Sequence, residues 1–286
     1  MEQENYPLAA TLALASALLF ATMGGLIKHL SGQVPNELVV FFRSLFGLVA
    51  LMPWLWHRGL GALRTREPRL HLLRGALGLT AMYCYFYALG HMPLAEAVLL
   101  NYAAPLYIPF LASAWLGEGV PKILRLAVVV GFVGIALILK PSAGLFEPVA
   151  VVGLCAGVFT AGAFVTLRRL SASEPAARTV FYFAVFATLV SAVPVSWSWR
   201  TPSPDAWLTL VLAGVCATGA QLLLTRSYAF APAARVGPFS YATVLFAALL
   251  GWASWGEVPD RYALLGGGLV IAAGVLALRI QRRPRH

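Results

Sequence analysis

Two stretches of the chain decide its fold: NYAAPLYIPFLASAWLGE at residues 101–118 and SYATVLFAALLGWASWGE at residues 240–257. Each begins with a polar residue followed by Tyr and Ala, and each ends on Gly-Glu. The spacing from Tyr to Glu is the same in both, so the second stretch aligns with the first without a gap. An apolar segment that recurs with the same polar ends indicates an internal repeat.

The composition of the whole chain indicates a membrane protein. Hydrophobic residues make up 60% of its 286 residues, charged residues make up 11%, and the mean hydropathy is +0.78. So few polar residues cannot cover the surface of a water-soluble protein of this length. Because the apolar segments are continuous and do not alternate with polar residues, they predict helices rather than a barrel.

Ten apolar segments are long enough to cross the hydrocarbon core, which takes about 20 helical residues. They cover residues 8–28, 36–56, 72–90, 94–116, 123–140, 148–167, 177–198, 205–225, 234–256 and 262–279. We predict an all-α membrane protein with ten transmembrane helices in two five-helix repeats, residues 1–143 and 144–286. Since each repeat has an odd number of spans, the second must be inverted in the bilayer relative to the first.

The formal charge of +10 is explained by where the basic residues lie. With a cytoplasmic N-terminus, sixteen of the 21 Lys and Arg residues face the cytoplasm, Arg74 among them, and four face outward. This asymmetry predicts that both termini are cytoplasmic, in a multi-pass protein of the bacterial inner membrane, with the lipid bilayer as a partner. A basic surface that binds another macromolecule is the alternative, and we expect no nucleic-acid partner.

The sequence offers little for a cofactor, a metal or an enzyme. Cys84, Cys155 and Cys216 fall inside spans without a disulfide or metal spacing, and the five His residues have no partner at ligand spacing. The connections are too short for a nucleotide-binding domain. No nucleophile with its base, and no pair of acids, lies at depth. We therefore expect no metal, no cofactor and no catalysis, and a monomer as the oligomeric state.

Small residues and prolines add detail to the predicted helices. Gly153 and Gly157 have the small-xxx-small spacing in span six, and Gly266–Gly268 lie within span ten, so both predict close helix packing. Pro53 in span two aligns with Pro194 in span seven, which places a helix-breaking residue at the same point of each repeat.

The chain resembles the drug/metabolite transporter superfamily, in its EamA-like type. The residues that carry the likeness are Gly117-Glu118, Gly256-Glu257, Phe42-Arg43-Ser44, Pro105, Arg226-Ser227-Tyr228 and Val236-Gly237-Pro238-Phe239-Ser240-Tyr241. The resemblance covers nearly the whole chain and implies a transporter whose central cavity is lined by spans one, three, four, six, eight and nine. Members carry amino acids, nucleosides and their conjugates, sugars and other metabolites. Pro105 aligns with Val244, so two symmetric kinked helices are not implied.

Polar residues inside the spans are the candidates for substrate binding, because a polar group in lipid costs free energy unless it has a partner or a wet cavity. The candidates are Tyr83, Tyr87, Asn101, Tyr102, Gln221, Thr225, Tyr228, Ser240 and Tyr241. Tyr102 and Tyr241 are expected at matching depths from opposite faces, which suits alternating access. Helix packing is the competing interpretation for each Tyr, and Tyr87 and Tyr228 fit the interfacial aromatic belt equally well.

Charged residues at or near the spans are candidates for charge recognition or coupling. Arg43, a third of the way into span two, would bind a carboxylate or phosphate of the substrate, or else bond backbone carbonyls to lock helices, and we favour the structural role. Glu96 would couple transport to protons, or else interact with the dipole of its own helix, which we favour. Arg226 is placed to reach lipid headgroups. Glu118 and Glu257 are expected to cap or orient the turns that follow them.

The resulting hypothesis is a secondary transporter that moves a small organic metabolite, with an amino acid or related zwitterion favoured, by alternating access. The substrate is a small molecule, and a gradient must supply the energy for uphill movement. One alternative is a proton-coupled carrier of another class, such as a nucleoside conjugate, an organic cation or a drug. A non-transporting membrane scaffold is the less favoured alternative.

Overall fold

The structure, a computed structural model, describes residues 5–104, 106–107, 111, 122–139, 148–170, 173–230, 239 and 241–280. Within these ranges the regular structure is helical and contains no strand. The α-helices are α1 (Tyr6–Leu30), α2 (Asn36–Ala50), α3 (Met52–Arg58), α4 (Pro68–His91), α5 (Leu94–Tyr102), α6 (Lys122–Leu139), α7 (Pro148–Leu170), α8 (Ala176–Ser198), α9 (Pro204–Phe230), α10 (Ala242–Trp255) and α11 (Arg261–Ile280). A 3-10 helix, Leu60–Leu63, lies between α3 and α4.

Six helical segments of the described chain are long and apolar enough to cross a membrane, and they match predicted spans one, two, three, six, seven and eight. Shorter apolar helices lie within spans five, nine and ten. α5 covers the beginning of span four, while Pro105, Gly117 and Glu118 lie outside the described residues. The chain is therefore an all-helical, multi-pass membrane protein, and the count of ten spans stays a prediction.

The two aligned prolines have different effects on their helices. Span two breaks at Leu51, and Pro53 lies in the first turn of α3, where its missing N–H removes no intrahelical bond. Pro194 lies inside α8, which continues to Ser198. A helix break at this point occurs in the first repeat and not in the second.

The contacts between helices are symmetric with respect to the two repeats. α1 packs along α9, which are spans one and eight, and α4 packs along α7, which are spans three and six. Span one is equivalent to span six, and span eight is equivalent to span three, so these two contacts are equivalent in the repeat. Three further contacts, α2 with α8, α6 with α11 and α5 with α10, each join equivalent spans of the two halves. This is the packing expected of two related five-helix units.

One pair of equivalent helices, α5 and α10, runs in opposite directions where the two halves meet. The first residue of α5, Leu94, donates its backbone N–H to the side chain of Glu257, which lies just after the end of α10. α5 and α10 are equivalent in the repeat, so the beginning of one lies beside the end of the other. An inverted repeat requires this relation, and the orientation of either half in a bilayer stays a prediction.

The outer faces of the bundle carry large apolar side chains at mid-helix. Leu18 of α1, Val193 of α8, Leu212 of α9 and Leu249 of α10 are all exposed. The main core lies between the halves and contains Leu30, Leu38, Leu89, Leu94 and Val98, among other buried residues. An apolar exterior around a packed interior is what a lipid-facing surface requires.

Close packing at Gly157 agrees with the sequence prediction. A Cβ atom built on Gly157 would lie 2.6 Å from the backbone oxygen of Leu100, so α7 and α5 touch at backbone level. A Cβ on Gly134 of α6 would lie 2.6 Å from the backbone oxygen of Gly266 of α11. Small residues thus let spans four and six, and spans five and ten, approach closely.

Gly157→Ala is expected to destabilise the protein by about 1–3 kcal/mol, because overpacking against backbone forces the two helices apart. Gly268→Ala is the matched control, since a Cβ at this helical position meets no atom within 4 Å. The control is expected to be neutral or to stabilise by up to about 1 kcal/mol through helix propensity. Thermal unfolding in detergent measures both, and equal unfolding temperatures would contradict the close approach.

Candidate functional site

A hydrogen bond between the two halves marks the middle of the bundle. Thr160 Oγ1 of α7 donates to Asn101 Oδ1 at the end of α5, at 2.8 Å. Thr160 lies about halfway along its 23-residue helix. Asn101 was a candidate from the sequence and Thr160 was not. A Thr in an apolar helix can instead bond the backbone of its own helix, so the sequence carried no signal for Thr160.

Several tyrosine hydroxyls lie buried in the interior without a partner among the described residues. They belong to Tyr83 of α4, to Tyr241 beside the first residue of α10, and to Tyr107. Tyr241 is 4% exposed. Tyr107, which the sequence analysis did not single out, packs its ring against Phe132. The sequence signal that could have identified Tyr107 is its place in an apolar segment, five residues after Tyr102. Buried hydroxyls of this kind are suited to binding a polar ligand.

The remaining sequence candidates occupy different environments. Tyr87 is 37% exposed and its ring stacks on His91 near the end of α4. Tyr102 and Gln221 are half-buried, and Glu96 lies in the first turn of α5. Arg226 is exposed near the end of α9. Thr225 and Tyr228 lie on α9, but their side chains, like all of Ser240, are outside the described part of the chain.

Arg43 lines a small crevice between the halves. The crevice is lined by Arg43, Ser44, Gly47 and Leu51 of the first half, and by Val180, Phe183, Ala184, Thr218 and Gln221 of the second. Thr218 Oγ1 donates to the backbone oxygen of Gly47 at 3.3 Å, which holds α9 against α2. Thr218 was not predicted, although it extends the polar stripe of Gln221 by one helical turn.

Arg74, which was predicted among the cytoplasmic basic residues, lies in the second turn of α4 with Nε and one terminal nitrogen buried. The side of the membrane on which this end of α4 lies stays a prediction. Its guanidinium packs on the ring of Phe183, with Cζ 4.5 Å from the ring centroid. The aromatic face supplies a favourable surface for the cation, and this contact keeps Arg74 inside the bundle.

One end of the bundle, the end predicted to face outward, is held by an ion pair. Lys28 Nζ of α1 lies 2.7 Å from Glu257 Oε1 and also donates to the backbone oxygen of Met92 at 2.7 Å. Glu257 Oε2 accepts the N–H of Leu94 at 2.8 Å. Glu257 was predicted to cap or orient the turn that follows its own helix. The structure shows instead that its carboxylate caps α5 of the other half.

The opposite end is held by Glu174, a carboxylate that is 6% exposed. It accepts hydrogen bonds from Thr65 Oγ1 at 2.6 Å, from the N–H of Arg66 at 3.2 Å, and from Arg178. His71 Nε2 lies 4.0 Å from the same carboxylate. The segment before α4 in the first half is thereby tied to the beginning of α8 in the second.

Comparison with known proteins places the chain among transporters. A family model described as the EamA-like transporter family matches residues 7–140 and again residues 148–279. A solved crystal structure superposes with a TM-score of 0.67 at 23% sequence identity, over 96% of this chain and 98% of that chain. At this identity, the likeness shows the fold alone.

Three similar proteins are named for the transport of different small molecules. The chain is 35% identical over 274 residues to the pseudopaline exporter CntI of Pseudomonas aeruginosa, covering 95% of this chain and 96% of that protein. It is 29% identical to the riboflavin transporter of Vibrio cholerae, covering 95% and 93%. It is 26% identical to the S-adenosylmethionine uptake transporter of Rickettsia bellii, covering 90% and 88%.

Proposed function

Because the chain belongs to the EamA-like transporter family, we propose that it moves a small organic metabolite across the bacterial inner membrane by alternating access. It is a transporter of small metabolites and not an enzyme, as its family and its relatives show. The halves, residues 1–143 and 144–286, would move against each other around the polar centre of the bundle. Both termini would be cytoplasmic.

The Asn101–Thr160 hydrogen bond is the observation that carries this proposal. It joins the two halves through polar side chains at mid-bundle, and the hydroxyls of Tyr83, Tyr107 and Tyr241 are also buried in the interior. Polar groups at this depth cost free energy unless they serve a ligand or a partner. A scaffold would not need them, whereas a substrate site between moving halves would.

An amino acid or a related zwitterion is the substrate class that we favour. The relatives are named as a pseudopaline exporter, a riboflavin transporter and an S-adenosylmethionine uptake transporter. Neither the substrate of this chain nor its direction of transport follows from these names. The hydroxyl and amide groups of the interior suit a small polar molecule. Two arginines with buried guanidinium nitrogens, Arg43 and Arg74, disfavour an organic cation, because like charges repel in a low dielectric.

The test is counterflow in proteoliposomes that contain the full chain, with a panel of labelled amino acids, nucleosides, flavins and organic cations. A pH gradient is imposed in half of the experiments to detect proton coupling. Accumulation of at least one amino acid is expected. Robust movement of another class without any amino acid would overturn the substrate proposal, and no movement of any solute by folded protein would overturn transport of these classes.

Asn101→Ala and Thr160→Val are each expected to lower counterflow of the transported solute about tenfold, since about 1.4 kcal/mol of lost binding corresponds to that factor. Thr11→Val is the matched control. Thr11 is exposed on α1, and its hydroxyl donates to Pro7 of the same helix. Unchanged flux in the Asn101 and Thr160 variants, with all three proteins folded, would remove this pair from the substrate path.

A further inference from the structure

We propose that Arg43 and Arg74 form an anion site that binds the carboxylate of the transported metabolite. This inference rests on the proposed function, because it assigns the substrate a negatively charged group. The site lies at the crevice between α2, α8 and α9, beside α4, so both halves of the protein contribute to it.

The Arg43 side chain is buried without a partner for its Nε atom. Arg43 is 8% exposed, and no described residue accepts a hydrogen bond from Nε. An arginine that locks helices would donate to a backbone carbonyl or a carboxylate. An unpaired cation inside a membrane protein is costly, so its retention calls for an anion that binds there.

Arg74 brings a second cation to the same place. Its Nε and one terminal nitrogen are buried and have no partner among the described residues. Its guanidinium covers the ring of Phe183, which also lines the crevice beside Arg43. The ion pairs of the described residues use Lys28, His71 and Arg178, and neither arginine of the crevice belongs to one.

Neutral polar groups complete the anion site. Ser44 Oγ, on the residue next to Arg43, is buried without a hydrogen-bond partner in the described chain. Gln221 and Thr218 face the crevice from α9. A hydroxyl and an amide can donate to a ligand oxygen, and a guanidinium binds a carboxylate through two parallel hydrogen bonds.

The apolar walls of the crevice favour a carboxylate over a phosphate. Leu51, Val180 and Ala184 lie around the polar groups. A carboxylate carries one charge, whereas a phosphate carries about −1.5 to −2 at neutral pH, so moving the carboxylate from water to apolar surroundings costs less free energy. Since both halves line the crevice, a bound carboxylate would also link the parts that move during transport.

The first measurement is the unfolding temperature of the full chain in detergent with sodium acetate, sodium succinate, sodium phosphate or sodium chloride at equal ionic strength. The carboxylates are expected to raise it by at least about 3 °C over chloride, because a ligand that binds only the folded state stabilises it. Arg43→Gln and Arg74→Gln are expected to lose this shift. Arg200→Gln, which removes an exposed arginine, should keep it. Greater stabilisation by phosphate, or an equal carboxylate shift in all the variants, would overturn the proposal.

The second measurement separates a binding role from a structural one. Without added carboxylate, Arg43→Gln is expected to unfold at the wild-type temperature or above it, because an unpaired buried charge has been removed. A marked fall in that temperature would show that Arg43 locks helices, and would overturn the inference. Counterflow then tells the two proposals apart. If Arg43→Gln or Arg74→Gln moves the identified substrate at the wild-type rate, the proposed transport function stands and the arginine site is refuted.

Discussion

Replacing Glu174 by alanine is expected to lower the free energy of unfolding by about 3 kcal/mol, because removing one partner of a buried ion pair strands the other. Glu174 is the shared acceptor of Thr65, of the Arg66 N–H and of Arg178. Without it, the segment before α4 is held to α8 by the hydrogen bonds that Arg178 Nε and the Tyr182 hydroxyl donate to the backbone oxygens of Ala62 and Leu63. The measurement is thermal unfolding in detergent, followed by the fluorescence of the eight tryptophans.

Asp205→Ala is the control for this prediction. Asp205 is an exposed carboxylate in the first turn of α9, and its loss is expected to cost less than about 1 kcal/mol. If the two substitutions lowered the unfolding temperature equally, Glu174 would contribute no more than a surface carboxylate and the expectation would be wrong.

The same carboxylate predicts how stability depends on pH. Burial raises the pKa of Glu174, but the hydrogen bonds from Thr65, Arg178 and the Arg66 N–H outweigh burial, so the pKa lies below its ordinary value. A lowered folded-state pKa gives stability that is complete above the unfolded value, about 4.3, and is lost as pH falls through the folded value. Below about pH 4.3 the wild type should therefore lose stability faster than Glu174→Gln. Parallel curves would contradict this assignment.

Replacing Glu257 by alanine is expected to open the end of the bundle that is predicted to face outward. The substitution removes the partner of Lys28 and the cap of α5 together, and hydrogen bonds to charged groups are worth about 1.5–3 kcal/mol each. A shift of about 1.4 kcal/mol in the opening equilibrium raises the open population tenfold. Under the proposed alternating access, opening of this end would separate the ion pair once in each cycle.

Labelling of Ile27→Cys tests this opening. Ile27 is buried one residue before Lys28, and the variant is made in a background without Cys84, Cys155 and Cys216. A membrane-impermeant maleimide is expected to react about ten times faster when Glu257 is alanine. The labelling rate of Glu257→Gln, which keeps an acceptor for the Leu94 N–H, should lie between those of the wild type and of Glu257→Ala.

Arg261→Gln is the control for the labelling. Arg261 is exposed in the same outer region, and its guanidinium lies over the ring of Tyr262. Its loss is expected to leave the labelling rate unchanged. A labelling rate that is indifferent to Glu257 would show that the ion pair does not close this end.

Hydropathy and repetition in the sequence predicted much of the fold. Six predicted spans coincide with long apolar helices, and the family match falls on the two halves that the repeated Tyr-Ala to Gly-Glu stretch indicated. The Gly153 and Gly157 spacing predicted the close approach of α7 to its neighbour. These are local properties. Helix length, apolar periodicity and small-residue spacing are written within about twenty consecutive residues, so they can be read without knowing the partners.

The tertiary structure alone decided which polar groups meet. Glu257 bonds Leu94, which is 163 residues away, and Asn101 bonds Thr160, which is 59 residues away. Arg74 was predicted only as one of the cytoplasmic basic residues, and the structure packs its guanidinium on the ring of Phe183. No period or spacing in the sequence specifies such pairs. They depend on how helices from the two halves pack, because in a protein built mostly of apolar residues a buried polar side chain must find its partner on another helix or pay the cost of burial.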